Sequence, residues 1–316
     1  MAAPSPPASR RSSTWIDPVC LSTVPNESET AVTYFEAVLL GVIQGVFMFF
    51  PVSSTSHLAL AQHWLISDGS LIAAPESPEM ILFDLAVHVG TLFSIAWVFA
   101  PGLTLYFRKL WGELPALPAA LTSRRIPLYT RLTLLGVVTV GVTGVLGLLF
   151  RDAFGHIFAN PQAIAVCLAL TGLLLYATDW LRPVRVGLRQ LGPGIAILIG
   201  VAQFLSLAPG LSRSGLTIVF ALFAGVKRRW AATYSFLIAI PTILAASAVH
   251  LVSVLRQAEP AQVDWLPMLV ATAVAAVTGI FALKIVLSLL YRARFRIFAF
   301  YLWMFAAVVL YTGVGT

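Results

Sequence analysis

Residues 49–57 read Phe49-Phe50-Pro51-Val52-Ser53-Ser54-Thr55-Ser56-His57, and they interrupt an apolar stretch that runs from 34 to 66. A second break, Ala208-Pro209-Gly210-Leu211-Ser212-Arg213-Ser214-Gly215, interrupts a second apolar stretch over 194–226. Proline removes a backbone donor, and small polar side chains favour caps and turns. A helix in either stretch therefore stops and restarts part-way along. Irregular backbone at membrane depth is tolerated only where protein buries it or a cavity receives it. Both stretches read as re-entrant helical hairpins, each entering and leaving on one face.

Composition places the rest of the chain in the same setting. Of 316 residues, 59% are hydrophobic and 10% charged, and the mean hydropathy is +0.90. A soluble domain carries about 25% charged residues, so too little charge is present to cover a soluble surface. Besides the hairpins, apolar runs of spanning length, about 20 residues, lie near 81–100, 130–150, 162–181, 231–251, 265–290 and 297–314. Residues 1–30 are rich in Ser and Pro, and no apolar stretch follows Arg10 and Arg11 as a secretory signal requires. A disordered tail over 1–30 and one polytopic membrane domain over 31–316 are expected. Cys20 and Cys167 have no disulfide or metal spacing.

The net charge of +7 reads as orientation in the bilayer, not as nucleic-acid binding, because the basic residues sit in short loops between apolar runs. Arg108, Lys109, Arg124, Arg125 and Arg131 follow the first run, and Arg182, Arg185 and Arg189 follow the third. Lys227, Arg228 and Arg229 follow the second hairpin, and Arg292, Arg294 and Arg296 precede the last run. With each hairpin returning to its own side, all four clusters fall on the cytoplasmic face, and both termini lie outside. The hairpins then enter from opposite faces. They also resemble each other: Gly41-Val42-Ile43-Gln44 leads to Pro51 and Ser54-Thr55-Ser56, and Gly200-Val201-Ala202-Gln203 leads to Pro209 and Ser212-Arg213-Ser214. Opposed insertion with a weak repeat is the mark of an inverted-topology duplication, with halves roughly 34–150 and 162–316. The expected fold is an all-α integral membrane protein of six transmembrane helices plus two oppositely inserted re-entrant hairpins in an inverted repeat. In such folds the broken tips meet near the midplane around a ligand.

The tips carry the chemistry of an oxyanion site. Helix starts bring partly positive N–H groups to phosphate. Arg213 lies between Ser212 and Ser214; a guanidinium in hydrocarbon needs a partner or a cavity, and its fork suits phosphate oxygens. His57 follows the other tip and can act as acid, base or nucleophile near neutral pH. Each has a structural competitor: Arg213 can pair with a carbonyl or Asp84, the serines can merely cap, and His57 can satisfy a helix contact. His63, His88, His156 and His250 have weaker claims, and Asp84 and Lys284 read as a helix start and an interfacial snorkel.

Two strings make the sequence familiar. Glu36-Ala37 through Gly41-Val42-Ile43-Gln44-Gly45 and on through Phe49-Phe50-Pro51-Val52-Ser53-Ser54-Thr55-Ser56-His57-Leu58 resembles the first signature of the undecaprenyl-diphosphatase (bacitracin-resistance) family, and Pro209-Gly210-Leu211-Ser212-Arg213-Ser214-Gly215-Leu216-Thr217 resembles its second. Lesser echoes are Phe83-Asp84 with His88-Val89-Gly90-Thr91-Leu92, Phe236 to Pro241, and Ala282-Leu283-Lys284. The resemblance implies hydrolysis of undecaprenyl diphosphate to the monophosphate, which recycles a lipid carrier for peptidoglycan synthesis, in a multi-pass protein of the plasma (inner) membrane. Carried over by position, His57, Ser54 and Arg213 are the implied catalytic residues. Gln44, Ser53, Thr55, Ser212, Ser214 and Gly215 are the implied substrate-binding residues.

Where the family usually has Glu four residues after the Gln44 position, this chain has Met48. A glutamate can hold a divalent cation such as magnesium or calcium, or act as a base; a thioether serves neither purpose for a hard ion. Asp84 and Glu36 are the candidate substitutes, and the metal ligands stay unassigned. Tyr301 is retained, whereas the arginine that often follows it is Leu302. The expected partners are a polyprenyl diphosphate lipid and the bilayer, with a homodimer compatible. The competing reading is a lipid-phosphate transporter or flippase that never hydrolyses, drawn from the repeat and from Met48. A third class, lipid phosphatases with His six positions after a Ser-Arg string, fails because that position is Val219.

Overall fold

The computed structural model describes residues 32–75, 77–116, 118, 126–150, 161–181, 186–256, 264–292 and 295–312. The tail over 1–30 lies outside them. The described residues form eleven α-helices: α1 Tyr34–Phe47, α2 Ser54–Ser67, α3 Pro78–Val98, α4 Ala100–Glu113, α5 Leu128–Leu149, α6 Pro161–Ala177, α7 Pro193–Leu205, α8 Arg213–Phe223, α9 Arg228–Leu255, α10 Trp265–Tyr291 and α11 Arg296–Thr312. The extended pairing among them is a single bridge between Val186 and Val226.

Five helical segments are long and apolar enough to cross a membrane: Pro78–Val98, Leu128–Leu149, Gln162–Trp180, Arg228–Val254 and Trp265–Tyr291. They coincide with five of the six expected runs. The sixth run forms α11, a 17-residue helix. Large apolar side chains on these helices stand exposed, among them Val137, Leu148, Val166, Leu269 and Phe281. Such faces suit hydrocarbon. The chain is a multi-pass membrane protein.

Both expected interruptions occur. α1 and α2 are each 14 residues long, so each is about 21 Å at 1.5 Å per residue. That is short of the roughly 30 Å hydrocarbon core. α7 and α8 have 13 and 11 residues. The stretch after α3, expected as a basic loop, instead begins with another helix. Phe99 closes α3 and opens α4 with φ −95° and ψ 8°, and Pro101, in the first turn of α4, needs no amide partner there. Glu113 at the end of α4 then caps α5, its carboxylate accepting from the Tyr129 and Thr130 amides at 3.2 and 2.8 Å.

The leading arm of each hairpin rests on a long helix distant in sequence. α1 packs on α10 and α3, α7 packs on α5, and α6 packs on α11. The α1–α10 seam is built from small residues, the means by which membrane helices bring backbones close. A Cβ at Gly41 would lie 2.6 Å from the Ala271 carbonyl oxygen, and one at Gly45 would lie 2.7 Å from that of Ala275. The α5–α7 seam is hydrogen-bonded. Thr139 Oγ1 donates to the Ala196 carbonyl and Thr143 Oγ1 to the Gly200 carbonyl, both at 3.0 Å, while Gln203 Nε2 reaches Thr143 Oγ1 at 3.1 Å. Polar side chains thus add to close packing at the α7 seam, where a Cβ at Gly200 would lie 2.8 Å from the Thr139 carbonyl oxygen.

The seam generates a prediction. Gly41→Ala forces a methyl into the Ala271 backbone and is expected to cost about 1–3 kcal/mol, lowering the melting temperature in detergent. Gly112→Ala, where an added Cβ meets nothing within 4 Å, is expected to leave the melting temperature unchanged or raise it. Equal melting curves for the two variants contradict the packing.

Candidate functional site

The two breaks meet each other. α1 ends at Phe47, the chain turns through 48–53, and α2 starts at Ser54. Ser53 sits in the left-handed region at φ 69°, a conformation that costs a non-glycine residue of order 1–3 kcal/mol. Its surroundings hold it there: its Oγ shares a hydrogen bond with Ser56 Oγ at 3.0 Å, and its carbonyl accepts from His57 Nδ1 at 2.8 Å. In the other tip Gly210 takes φ +88°, and Ser212 caps α8 by accepting from the Gly215 amide at 3.2 Å. Across the junction the Gly210 amide donates to Ser56 Oγ at 3.0 Å, and Ser214 Oγ donates to the Phe50 carbonyl at 3.4 Å. Thr171 of α6 steadies the second tip, donating to the Gly210 carbonyl at 3.2 Å.

The centre of this junction is the sulfur of Met48. Gln44 Nε2 points at it from 3.6 Å, Ser54 Oγ from 3.8 Å and Arg213 Nη2 from 3.9 Å. A thioether is a weak acceptor, so three good donors converge on a group that satisfies none of them well. Among the described residues Arg213 has no carboxylate at ion-pair distance; the pair found there joins Arg296 and Asp179 at 3.5 Å. The alternative pairing of Arg213 with Asp84 is not formed; Asp84 instead accepts from Gln62 at 3.0 Å. Gln44 is fully buried, and its Oε1 has no hydrogen-bond partner. An oxyanion placed against Arg213, Ser54 and Gln44 Nε2 replaces a poor acceptor with a strong one.

His57 is differently placed. Its Nδ1 donates to the Ser53 carbonyl, which fixes Nε2 as the acceptor of the Tyr301 hydroxyl at 2.6 Å. Its ring is stacked between Phe47 and Phe305, with both centroids at 4.1 Å. Both ring nitrogens are therefore engaged, and Ser54 Oγ turns to the sulfur instead of to the imidazole. The remaining sequence-nominated residues divide. Ser53, Ser212 and Ser214 are buried in the junction, Gly215 lies against Ser212 and Pro51, and Thr55 is exposed. Sequence reading passed over Ser56, whose hydroxyl ties the tips. Its one signal was its place three residues after Ser53. Phe47, Phe305 and the contact of Tyr301 with His57 had no local signal.

The donor set does not fit a divalent cation. Hard ions want several oxygen ligands, carboxylates above all, and the junction presents a thioether, an amide, hydroxyls and a guanidinium. Neither candidate substitute serves. Glu36 is used in the capping box with Thr33 and also accepts from Ser70, at the far end of α1, and Asp84 is bound to Gln62. Among the described residues no three His, Cys, Asp or Glu side chains gather to hold a metal.

The family model described as Bacitracin resistance protein BacA matches residues 37–308, so the match runs through both tips. The chain belongs to that family. Among its relatives, a protein of Halorhodospira halophila named undecaprenyl-diphosphatase is 53% identical over 274 residues, covering 87% of this chain and 96% of that protein. One of the same name from Alkalilimnicola ehrlichii is 52% identical over 270 residues, covering 85% and 93%. Another, from Carboxydothermus hydrogenoformans, is 34% identical over 277 residues, covering 87% and 96%. The BacA resemblance read from the two tip strings thus extends over nearly the whole membrane domain.

The tip junction makes a separable prediction about stability. Ser56→Ala strands the buried Gly210 amide and removes the bond to Ser53, for an expected loss of about 1–3 kcal/mol. Thr55→Ala, one residue away but exposed, is expected to change stability by less than about 0.5 kcal/mol. Thermal unfolding of the two variants side by side checks the order, and a Thr55 variant as unstable as the Ser56 variant contradicts it.

Proposed function

We propose that this chain hydrolyses undecaprenyl diphosphate to the monophosphate and phosphate, recycling the carrier lipid for cell-wall synthesis and so conferring resistance to bacitracin. Its BacA membership and the undecaprenyl-diphosphatases that match most of its length support the reading. The observation that carries it at the level of the site is the convergence of Arg213, Ser54 and Gln44 on one weakly accepting atom. In that reading the guanidinium clamps the diphosphate, and Gln44 Nε2 takes a further oxygen. The Ser54 hydroxyl attacks the terminal phosphorus in line with the bridging oxygen and gives its proton to that oxygen as the P–O bond breaks and the lipid monophosphate leaves. Water then attacks the phosphoserine, its hydroxyl staying on the phosphate and its proton returning to Ser54. Ser54 is favoured over His57 as the attacking group because both imidazole nitrogens are held by Ser53 and Tyr301. Charge stabilisation in a site with little water provides most of the acceleration.

The membrane arrangement belongs to the same proposal. The α1–α2 and α7–α8 hairpins, with arms too short to span, enter from opposite faces of the plasma membrane. α11 serves as the sixth span, and both termini are outside. The packing of α1 on α10, α7 on α5 and α6 on α11 favours a repeat whose first half ends after α6 instead of before it. A non-hydrolytic transporter shares this architecture, but architecture alone does not assign function, and the relatives' names favour hydrolysis.

Phosphate release from a polyprenyl diphosphate by the purified chain tests the reading. Arg213→Ala is expected to lower kcat/KM by about a hundredfold or more, with Arg213→Lys recovering only part, since a point charge lacks the planar fork. Wild-type rates from the alanine variant would refute the assignment of Arg213.

A further inference from the structure

We infer that this chain takes the diphosphate headgroup as a free anion, with Arg213 as its fixed counter-charge at the junction and Met48 keeping that charge unneutralised. The inference rests on the hydrolase reading and concerns how that same site is charged.

The argument starts from what Met48 places beside the guanidinium. Its sulfur lies 3.9 Å from Arg213 Nη2 and carries no formal charge. The other atoms directed at that sulfur belong to an amide and a hydroxyl, both neutral. Arg213 therefore keeps its full positive charge in surroundings of low dielectric, where one charge acts far more strongly than in water. The two carboxylates weighed as substitutes for a glutamate at 48 are engaged elsewhere, Asp84 with Gln62, and Glu36 with Thr33 and Ser70.

The same geometry disfavours a protein-held cation. A divalent ion at the junction would sit against the guanidinium and meet a soft thioether, with the Gln44 Oε1 atom as the one orphaned oxygen. Charge repulsion and ligand chemistry act in the same direction. The anion binds to Arg213 directly and needs no metal bridge. A glutamate at position 48 reverses the balance. Its unbranched side chain reaches the same region as the methionine, so its carboxylate pairs with Arg213. The substrate then meets a neutral pair until a cation restores positive charge.

The test uses the full chain in detergent or nanodiscs, a labelled polyprenyl diphosphate, and parallel samples in EDTA and in millimolar magnesium. Equilibrium binding and phosphate release are both read. The wild type is expected to bind equally in the two conditions, within about twofold. Met48→Glu is expected to bind about tenfold or more weakly in EDTA and to regain affinity in magnesium. Met48→Leu, whatever its rate, is expected to keep an EDTA-to-magnesium binding ratio near that of the wild type. Wild-type binding that collapses in EDTA and returns with magnesium overturns the inference, as does a glutamate variant that binds as tightly as wild type in EDTA. If the glutamate variant does not fold, the wild-type and leucine comparisons decide. Chelator-insensitive binding with no phosphate release in either condition supports the charge inference and sinks the hydrolase reading instead.

Discussion

The hydrogen bond from the Gly210 amide to Ser56 Oγ joins two pieces of irregular backbone that are both buried. Within a bilayer every backbone polar group must find a partner inside the protein. A helix broken at membrane depth leaves several such groups at its turn, and a single broken helix cannot satisfy them all. Two broken helices placed tip to tip can. Ser56 takes an amide of the opposite turn, Ser214 takes the Phe50 carbonyl, and Thr171 takes the Gly210 carbonyl. The junction is therefore a structural solution first, and the site is what it leaves over.

What it leaves over is a group of donors without adequate acceptors. Arg213, Gln44 and Ser54 lie around a sulfur that accepts weakly. Leaving such groups poorly paired is costly, and an oxyanion placed among them would remove that cost. His57 stands apart from this arrangement. Its ring is stacked between Phe47 and Phe305 and hydrogen-bonded at both nitrogens, so it braces the strained Ser53 turn through that residue's carbonyl. The partners come from α1, α2 and α11, so the brace forms only when those three helices assemble.

The surrounding helices hold the tips by two different means. On one side backbone meets backbone, with Gly41 and Gly45 against Ala271 and Ala275, and the close approach tolerates no added carbon. On the other side Thr139, Thr143 and Gln203 bond across from α5 to α7. Dispersion and interhelical hydrogen bonds are the forces available to helices already in lipid, and the second seam adds hydrogen bonds to the close packing that Gly200 makes on Thr139. Met48 is fixed by the first seam, since it follows directly on α1. Arg213 is fixed through the second, since α8 follows the tip of α7.

The sequence by itself determined the membrane class and the two helix breaks, and it singled out the serine and arginine chemistry of the tips. Those follow from local chemistry: apolar run length, the missing amide of proline, the capping habit of serine and the cost of a guanidinium in hydrocarbon. It also marked Met48 as the departure from the family pattern, because a thioether and a carboxylate differ whatever surrounds them. Local chemistry did not reveal that α4 follows α3 without a loop, since Pro101 breaks one helix and starts another equally well. Nor did it choose between neighbours in the Ser53-Ser54-Thr55-Ser56 string. Thr55 turns outward and Ser56 inward only because the opposite tip arrives on one side of α2. The stacking of Phe47 and Phe305 on His57, and the convergence of three donors on one sulfur, join residues far apart in the chain. Only tertiary packing decided them, because a sequence fixes which groups a residue carries but not which distant groups are brought within reach.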